Sequence, residues 1–119
     1  MSPFVDVADV GDLGDGAMMR ATVGGRVLLL ARVGDDYYAA EDRCPHMGGS
    51  LSHGHLVGTV VTCPRHGSQF DLATGRVVRW TRWTGITLAL AKAFRSPRPV
   101  TVYGARSDSG RIQVDLEQS

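Results

Sequence analysis

The sequence predicts an all-β fold, an antiparallel sandwich or barrel, and three observations support that prediction. Apolar and β-branched residues occur in short runs, glycine-rich turns separate these runs, and helical periodicity is confined to one segment. The chain has 119 residues, which is the length of one domain and enough to bury a core without disulfide bonds. We therefore expect a single domain over residues 1–119.

The strands can be assigned in chain order from alternation and from turn residues. Valines at 5, 7 and 10 alternate loosely, and a turn at 14–16 precedes an extended run over 18–23. Gly24-Gly25 joins that run to another over 26–33, which predicts a β-hairpin. A turn at 34–36 leads to a strand over 37–40. Two more hairpins are predicted, one over 68–78 through the turn at 73–75, and one from runs 100–103 and 111–116 linked by 107–110.

The segment over residues 80–95 departs from the strand pattern. Trp83, Leu90 and Phe94 fall at helical spacing, and alanines between them are good helix formers. The pattern predicts a short helical insertion into the β fold. Its apolar side could pack on the core of this chain, or it could contact another subunit.

The charge is nearly balanced but unevenly distributed. A net charge of +1 argues against a nucleic-acid-binding protein, which would be clearly basic. The chain before Arg43 is mostly acidic, whereas the stretch from 76 to 98 contains only basic charges: Arg76, Arg79, Arg82, Lys92, Arg95 and Arg98. This stretch is either an ordinary solvated surface or a docking face for an acidic partner.

The sequence also bears on the cellular compartment. The N-terminal residues are acidic and do not resemble a signal peptide, and no apolar run is long enough to span a bilayer. The two cysteines have neighbours that suit metal binding better than a disulfide. We therefore expect a reducing, cytoplasmic setting and no membrane or nucleic-acid partner.

Two loops carry the candidate metal ligands. Loop 43–50 contains Cys44 and His46, and loop 63–68 contains Cys63 and His66. This set could bind a tetrahedral zinc ion, or a [2Fe-2S] cluster in which the cysteines bind one iron and the histidines the other. Zinc fingers usually place two cysteines in one half of the motif and two histidines in the other, whereas each loop here contains one cysteine and one histidine. Mixed halves favour the cluster, because each loop can then serve both irons.

Histidine ligands change the charge of such a cluster and therefore its potential. An oxidised cluster with two thiolates is neutral, whereas four thiolates leave it doubly negative. A neutral cluster accepts an electron more readily, which places its potential at roughly −150 to +300 mV against about −400 mV for all-cysteine ligation.

The spacing Cys-x-His, sixteen residues, Cys-x-x-His resembles the Rieske iron–sulfur signature. The run 70–75 after the second loop and the closing hairpin from 99 to 114 also resemble the soluble Rieske ferredoxins. The resemblance implies an antiparallel Rieske fold in which Cys44 and Cys63 bind a buried iron and His46 and His66 bind the outer iron. It further implies a non-catalytic carrier, a monomer or weak oligomer, that takes one electron from a reductase to a terminal oxygenase.

Residues around the ligands set the expected environment of the cluster. Met47 is expected to shield the cluster from water, and Ser68 is expected to donate a hydrogen bond to a sulfur. Three glycines are expected to allow close approach of the backbone: Gly48, Gly49 and Gly67. Pro97 belongs to a candidate segment that would cover the cluster. By the same resemblance, Gly49 or one of its neighbours and Arg65 stand where Rieske subunits of cytochrome bc complexes have a second cysteine pair, and no disulfide is possible once Cys44 and Cys63 are ligands. Phe70 replaces a tyrosine donor of high-potential members, which predicts a low to intermediate potential.

Three alternatives follow from the same residues. A complete Rieske oxygenase would need a second iron site, but only His53 and His55 remain and the chain is too short for that domain. The chain could instead be a small Rieske subunit of a larger reductase, of the nitrite reductase type. A zinc-stabilised binding module is the third alternative.

Overall fold

The computed structural model describes residues 3–45, 49–65, 67–79 and 99–117. Within these residues the chain forms ten strands and two short 3-10 helices, Val10–Asp12 and Leu51–His53. The strands are β1 (Phe4–Asp9), β2 (Met18–Val23), β3 (Arg26–Val33), β4 (Asp36–Glu41), β5 (His55–Val57), β6 (Val60–Thr62), β7 (Gln69–Asp71), β8 (Val77–Arg79), β9 (Val102–Asp108) and β10 (Arg111–Asp115). The predicted all-β class is confirmed. The predicted helical insertion over 80–95 lies outside the described residues.

The strands form two antiparallel sheets. The larger sheet has the order β1-β10-β9-β4-β3-β2, and the smaller sheet has the order β5-β6-β7-β8. The first candidate loop, 43–50, leaves the larger sheet after β4, and the second, 63–68, connects β6 and β7 in the smaller sheet. The two candidate loops therefore start from different sheets.

Strand β3 is buried on both faces, which explains its nearly continuous apolar sequence. Leu29 and Ala31 pack in the core that contains both cysteines, whereas Leu28 and Leu30 pack in a second core beneath β9 and β10. All four are fully buried. Each leucine stabilises the fold by about 1.5–3 kcal/mol relative to an exposed one.

The hairpin predicted at Gly24-Gly25 is confirmed. Val23 pairs with Arg26, and the two glycines have φ values of 57° and 80°. A two-residue turn with positive φ at both positions matches the twist of the flanking strands, and glycine adopts it without steric cost.

The C-terminal hairpin is also confirmed, with a longer first strand than predicted. Asp108 pairs with Arg111, and the turn between them consists of Ser109 and Gly110 alone, with φ values of 53° and 80°. Of the predicted strand 100–103, only Val102 and Tyr103 belong to β9.

No helix among the described residues is long and apolar enough to cross a membrane.

Candidate metal centre

The two predicted ligand cysteines lie in the same core. Cys44 follows β4 and Cys63 follows β6, each side chain is about 1% exposed, and they are not bonded to each other. Both pack in the cluster of buried residues that includes Phe70 and Leu72. The predicted ligands His46 and His66 lie outside the described residues, as do Met47, Gly48 and Pro97.

Both loops are closed by the same backbone contact. The N–H of Cys44 donates to the carbonyl of Gly49 at 2.7 Å, and the N–H of Cys63 donates to the carbonyl of Ser68 at 2.7 Å. The N–H of Gly67, where φ is 73°, also donates to the carbonyl of Cys63 at 3.1 Å. Each cysteine is thus held at the base of a short closed loop, and the two loops are built alike.

The two loops also face each other. A β-carbon built on Gly49 would lie 3.3 Å from the Sγ of Cys63 and 2.7 Å from the Cδ of Arg65. Gly49 is buried, and the side chain of Arg65 crosses it from the second loop. Glycine is therefore needed at this position because the loops approach too closely for a side chain.

A buried carboxylate holds the first loop. Asp42 accepts hydrogen bonds from the Ser50 hydroxyl (2.7 Å), the Ser52 N–H (2.7 Å) and the Ser52 hydroxyl (2.8 Å). Its side chain is fully buried, and the Nε of Arg20 lies 3.6 Å from it. Since Asp42 precedes Cys44 and the serines follow Gly49, these bonds tie the two ends of the loop together.

An arginine holds the second loop. Arg79, at the end of β8, donates to the carbonyl of Gly67 through Nε at 3.0 Å and through Nη2 at 2.9 Å. Gly67 directly follows the predicted ligand His66. The paired bonds from one rigid guanidinium therefore fix the backbone beside that ligand.

These residues fit an iron–sulfur cluster bound between the loops. Two buried thiols on facing loops supply soft sulfur ligands, which iron–sulfur clusters require. Hydrogen bonds at both loop bases keep the backbone fixed around them. The described part of the site therefore offers two buried thiols that suit such a cluster.

Comparison with known proteins decides the family. The Rieske [2Fe-2S] domain matches residues 3–89 of this chain. The chain belongs to the Rieske [2Fe-2S] family. Membership implies that this Rieske domain carries a [2Fe-2S] cluster.

Two curated relatives of this Rieske domain are ferredoxins. It is 42% identical over 73 residues to ferredoxin CarAc of Metapseudomonas resinovorans, covering 60% of this chain and 68% of that protein. It is 30% identical over 111 residues to the ferredoxin component of biphenyl 2,3-dioxygenase from Rhodococcus jostii (strain RHA1), covering 93% of this chain and 91% of the relative.

Solved structures show the same architecture. The ferredoxin of carbazole 1,9a-dioxygenase from Nocardioides aromaticivorans IC177 superposes with a TM-score of 0.77 at 26% identity, covering 95% of this chain and 97% of that one. A chain in the complex of reduced oxygenase and oxidized ferredoxin in carbazole 1,9a-dioxygenase gives a TM-score of 0.75 at 30% identity, covering 100% of this chain and 98% of that chain.

The structure also places the remaining residues singled out in the sequence. Ser68 and Phe70 are fully buried, with Phe70 paired between Val61 and Val77 in the smaller sheet. His53 and His55 are exposed, as predicted.

Asp42 and Arg79 were not predicted as site residues. The only available signal for Asp42 was an acidic residue and two serines flanking one loop. Arg79 was predicted only as part of a basic stretch that is either a solvated surface or a docking face for an acidic partner.

Proposed function

We propose that this Rieske domain is a one-electron carrier that accepts an electron from a reductase and delivers it to a terminal oxygenase. Two findings support the proposal. A relative matched over more than nine-tenths of both chains is a dioxygenase ferredoxin component, and a matching chain comes from a complex of ferredoxin and oxygenase. The observation that carries it is the close approach of the two loops, since a β-carbon added at Gly49 would lie 3.3 Å from the Sγ of Cys63, which supports a cluster cage built from two facing loops.

The proposal assigns Cys44 and Cys63 to the inner iron and His46 and His66 to the outer iron. Burial of both thiols supports the inner assignment. When bound, the cluster stores one electron. The chain itself contributes a rigid cage: the Asp42 hydrogen bonds hold the first loop and the Arg79 hydrogen bonds hold the second. A rigid cage limits the structural change that accompanies electron transfer.

The carrier is proposed to act without catalysing a reaction of its own and without a permanent larger complex. The alternative of a small subunit in a nitrite-reductase-type complex receives less support, because the ferredoxin relative matches along nearly the whole of both chains. A carrier needs only a weak, transient interface with each partner.

A stoichiometric reduction tests the proposal. The purified holoprotein is reduced with dithionite, freed of reductant without oxygen, and mixed with oxidised cytochrome c. We expect one electron to be taken up per chain and one haem to be reduced per chain. His66→Ala should abolish the transfer, whereas His53→Ala, a matched change at an exposed histidine, should leave it intact. No electron uptake, or equal loss in both variants, would refute the assignment.

A further inference from the structure

The charges of this chain are separated between its two ends. Residues 43–79, which contain both loops and the smaller sheet, include four arginines and one aspartate. The described residues of the larger sheet and its turns, 3–42 and 99–117, include eleven acidic and five basic residues. The segment that carries both loops is therefore net positive, and the rest of the described chain is net negative.

The single acid at the positive end is committed to a turn. The carboxylate of Asp71 accepts hydrogen bonds from the Thr59 hydroxyl at 2.8 Å and from the Ala73 N–H at 2.9 Å. Asp71 is the last residue of β7, at the end of the strand that leads away from loop 63–68. It therefore leaves the positive charge around the loops in place.

Three exposed arginines border the two loops, and we call them the arginine rim: Arg43, Arg65 and Arg79. Arg43 directly precedes Cys44, and Arg65 crosses Gly49 at the contact between the loops. Arg79 is anchored by its two bonds to the carbonyl of Gly67.

We infer that the arginine rim docks on a carboxylate-rich surface of the redox partner. The inference rests on the proposed function and names the chemistry of the partner's docking surface. Guanidinium groups pair with carboxylates through two parallel hydrogen bonds, which fixes orientation as well as attraction. The separated charges turn the cluster-binding end toward a negative surface before contact, which raises the association rate.

Electrodes of opposite charge test the inference. The holoprotein is examined by voltammetry on gold coated with a carboxylate-terminated thiol monolayer and on gold coated with an amine-terminated one. We expect a reversible one-electron wave on the carboxylate surface at low salt, and at least a roughly tenfold slower electron transfer on the amine surface. High salt should weaken the carboxylate signal. An equal or faster signal on the amine surface would overturn the inference.

Matched variants locate the effect. Arg43→Gln/Arg65→Gln should slow transfer on the carboxylate surface about tenfold. Arg106→Gln removes a positive charge from β9 of the larger sheet, outside the arginine rim, and should not slow it. An equal slowing by Arg106→Gln would contradict the assignment to the rim.

A failure of the proposed carrier function can be distinguished from a failure of the docking inference. Dithionite titration in solution measures electron uptake without any charged surface. If dithionite reduces nothing, the carrier function itself is wrong. If dithionite reduces the protein but the amine surface gives the faster wave, the carrier function stands and only the docking inference is wrong.

Discussion

Gly49 of the first cluster loop lies against the sulfur of Cys63 in the second. A β-carbon at Gly49 would come within 3.3 Å of that Sγ and within 2.7 Å of the Cδ of Arg65. Because the backbone φ at Gly49 is not positive, this glycine is required by space and not by conformation. The two loops are therefore in contact through the chain itself, and a change at Gly49 should be felt at the sulfur.

Gly49→Ala should disturb the cluster without unfolding the protein. The new methyl group must displace the stem of Arg65 and press on the Cys63 sulfur, and overpacking of this kind costs about 1–3 kcal/mol. We expect a shifted visible spectrum and a lower iron content per chain, measured by absorption and iron analysis.

The double variant Gly49→Ala/Arg65→Ala separates the two contacts. Removing the Arg65 stem relieves the closer contact and leaves the one at the sulfur. Iron content should recover in part while the spectral shift persists. If the double variant loses as much iron as the single one, the Arg65 contact is not the cause.

Asp42→Ala should destabilise the first loop. The change leaves the hydroxyls of Ser50 and Ser52 and the N–H of Ser52 without their acceptor, at a cost of about 3 kcal/mol. Chemical denaturation should show the loss, and the cluster should be released faster to a chelator. Asp36→Ala, at an exposed position on β4, is the control and should change stability by less than about 0.5 kcal/mol. Comparable losses in both variants would contradict the anchoring role.

Gly54→Ala should be among the most disruptive single substitutions near the site. A β-carbon there would lie only 1.8 Å from the carbonyl oxygen of Thr62, a backbone atom that cannot move aside cheaply. We expect a loss of about 3 kcal/mol or more, seen as a lower melting temperature. Gly14→Ala meets nothing within 4 Å and should be neutral or slightly stabilising. A stable Gly54→Ala variant would show that β5 and β6 are not held as described.

Tyr103 should make folding stability depend on alkaline pH. Burial and its hydrogen bond to the carboxylate of Glu41 raise the pKa of Tyr103, against a smaller opposing effect of Arg26. Because the folded state holds this proton more tightly, its stabilising effect is complete below the unfolded value of about 10 and is lost as pH rises through the folded-state pKa.

An absorbance titration of tyrosinate checks this prediction. Tyr103→Phe should remove the tyrosinate transition at the highest pH. Urea unfolding of the variant should lose the corresponding decline in stability. A wild-type titration without a transition above the ordinary tyrosine pKa would be inconsistent with the Glu41 contact.

The sequence predicted the elements whose turns carry a local signal. Gly24-Gly25 predicts its hairpin because few other residues adopt positive φ at both turn positions. The hairpin of β5 and β6, between the two loops, was not predicted because each strand has three residues, too few for alternation to show. The one sequence signal for this hairpin was Gly58, which adopts a φ of 58° in the turn between the paired residues Val57 and Val60.

The candidate site also contains residues that the sequence predicts and residues that it does not. The cysteines and their loops could be predicted, because ligand type and spacing are properties of the sequence. The anchors Asp42 and Arg79 could not, because a buried acid and a surface acid look alike in a sequence. Their roles depend on contacts across loops and strands, such as the bond from Arg79 to Gly67, twelve residues away.

The most direct test of the account is pulsed EPR of the reduced holoprotein, read for nitrogen coupling to the cluster. Ligation by His46 and His66 predicts coupling from two imidazole nitrogens, with one set lost in His46→Cys and the other in His66→Cys. A reduced cluster without nitrogen coupling, or a protein that has no such EPR signal and contains zinc, would contradict the mixed ligation on which the proposed function depends.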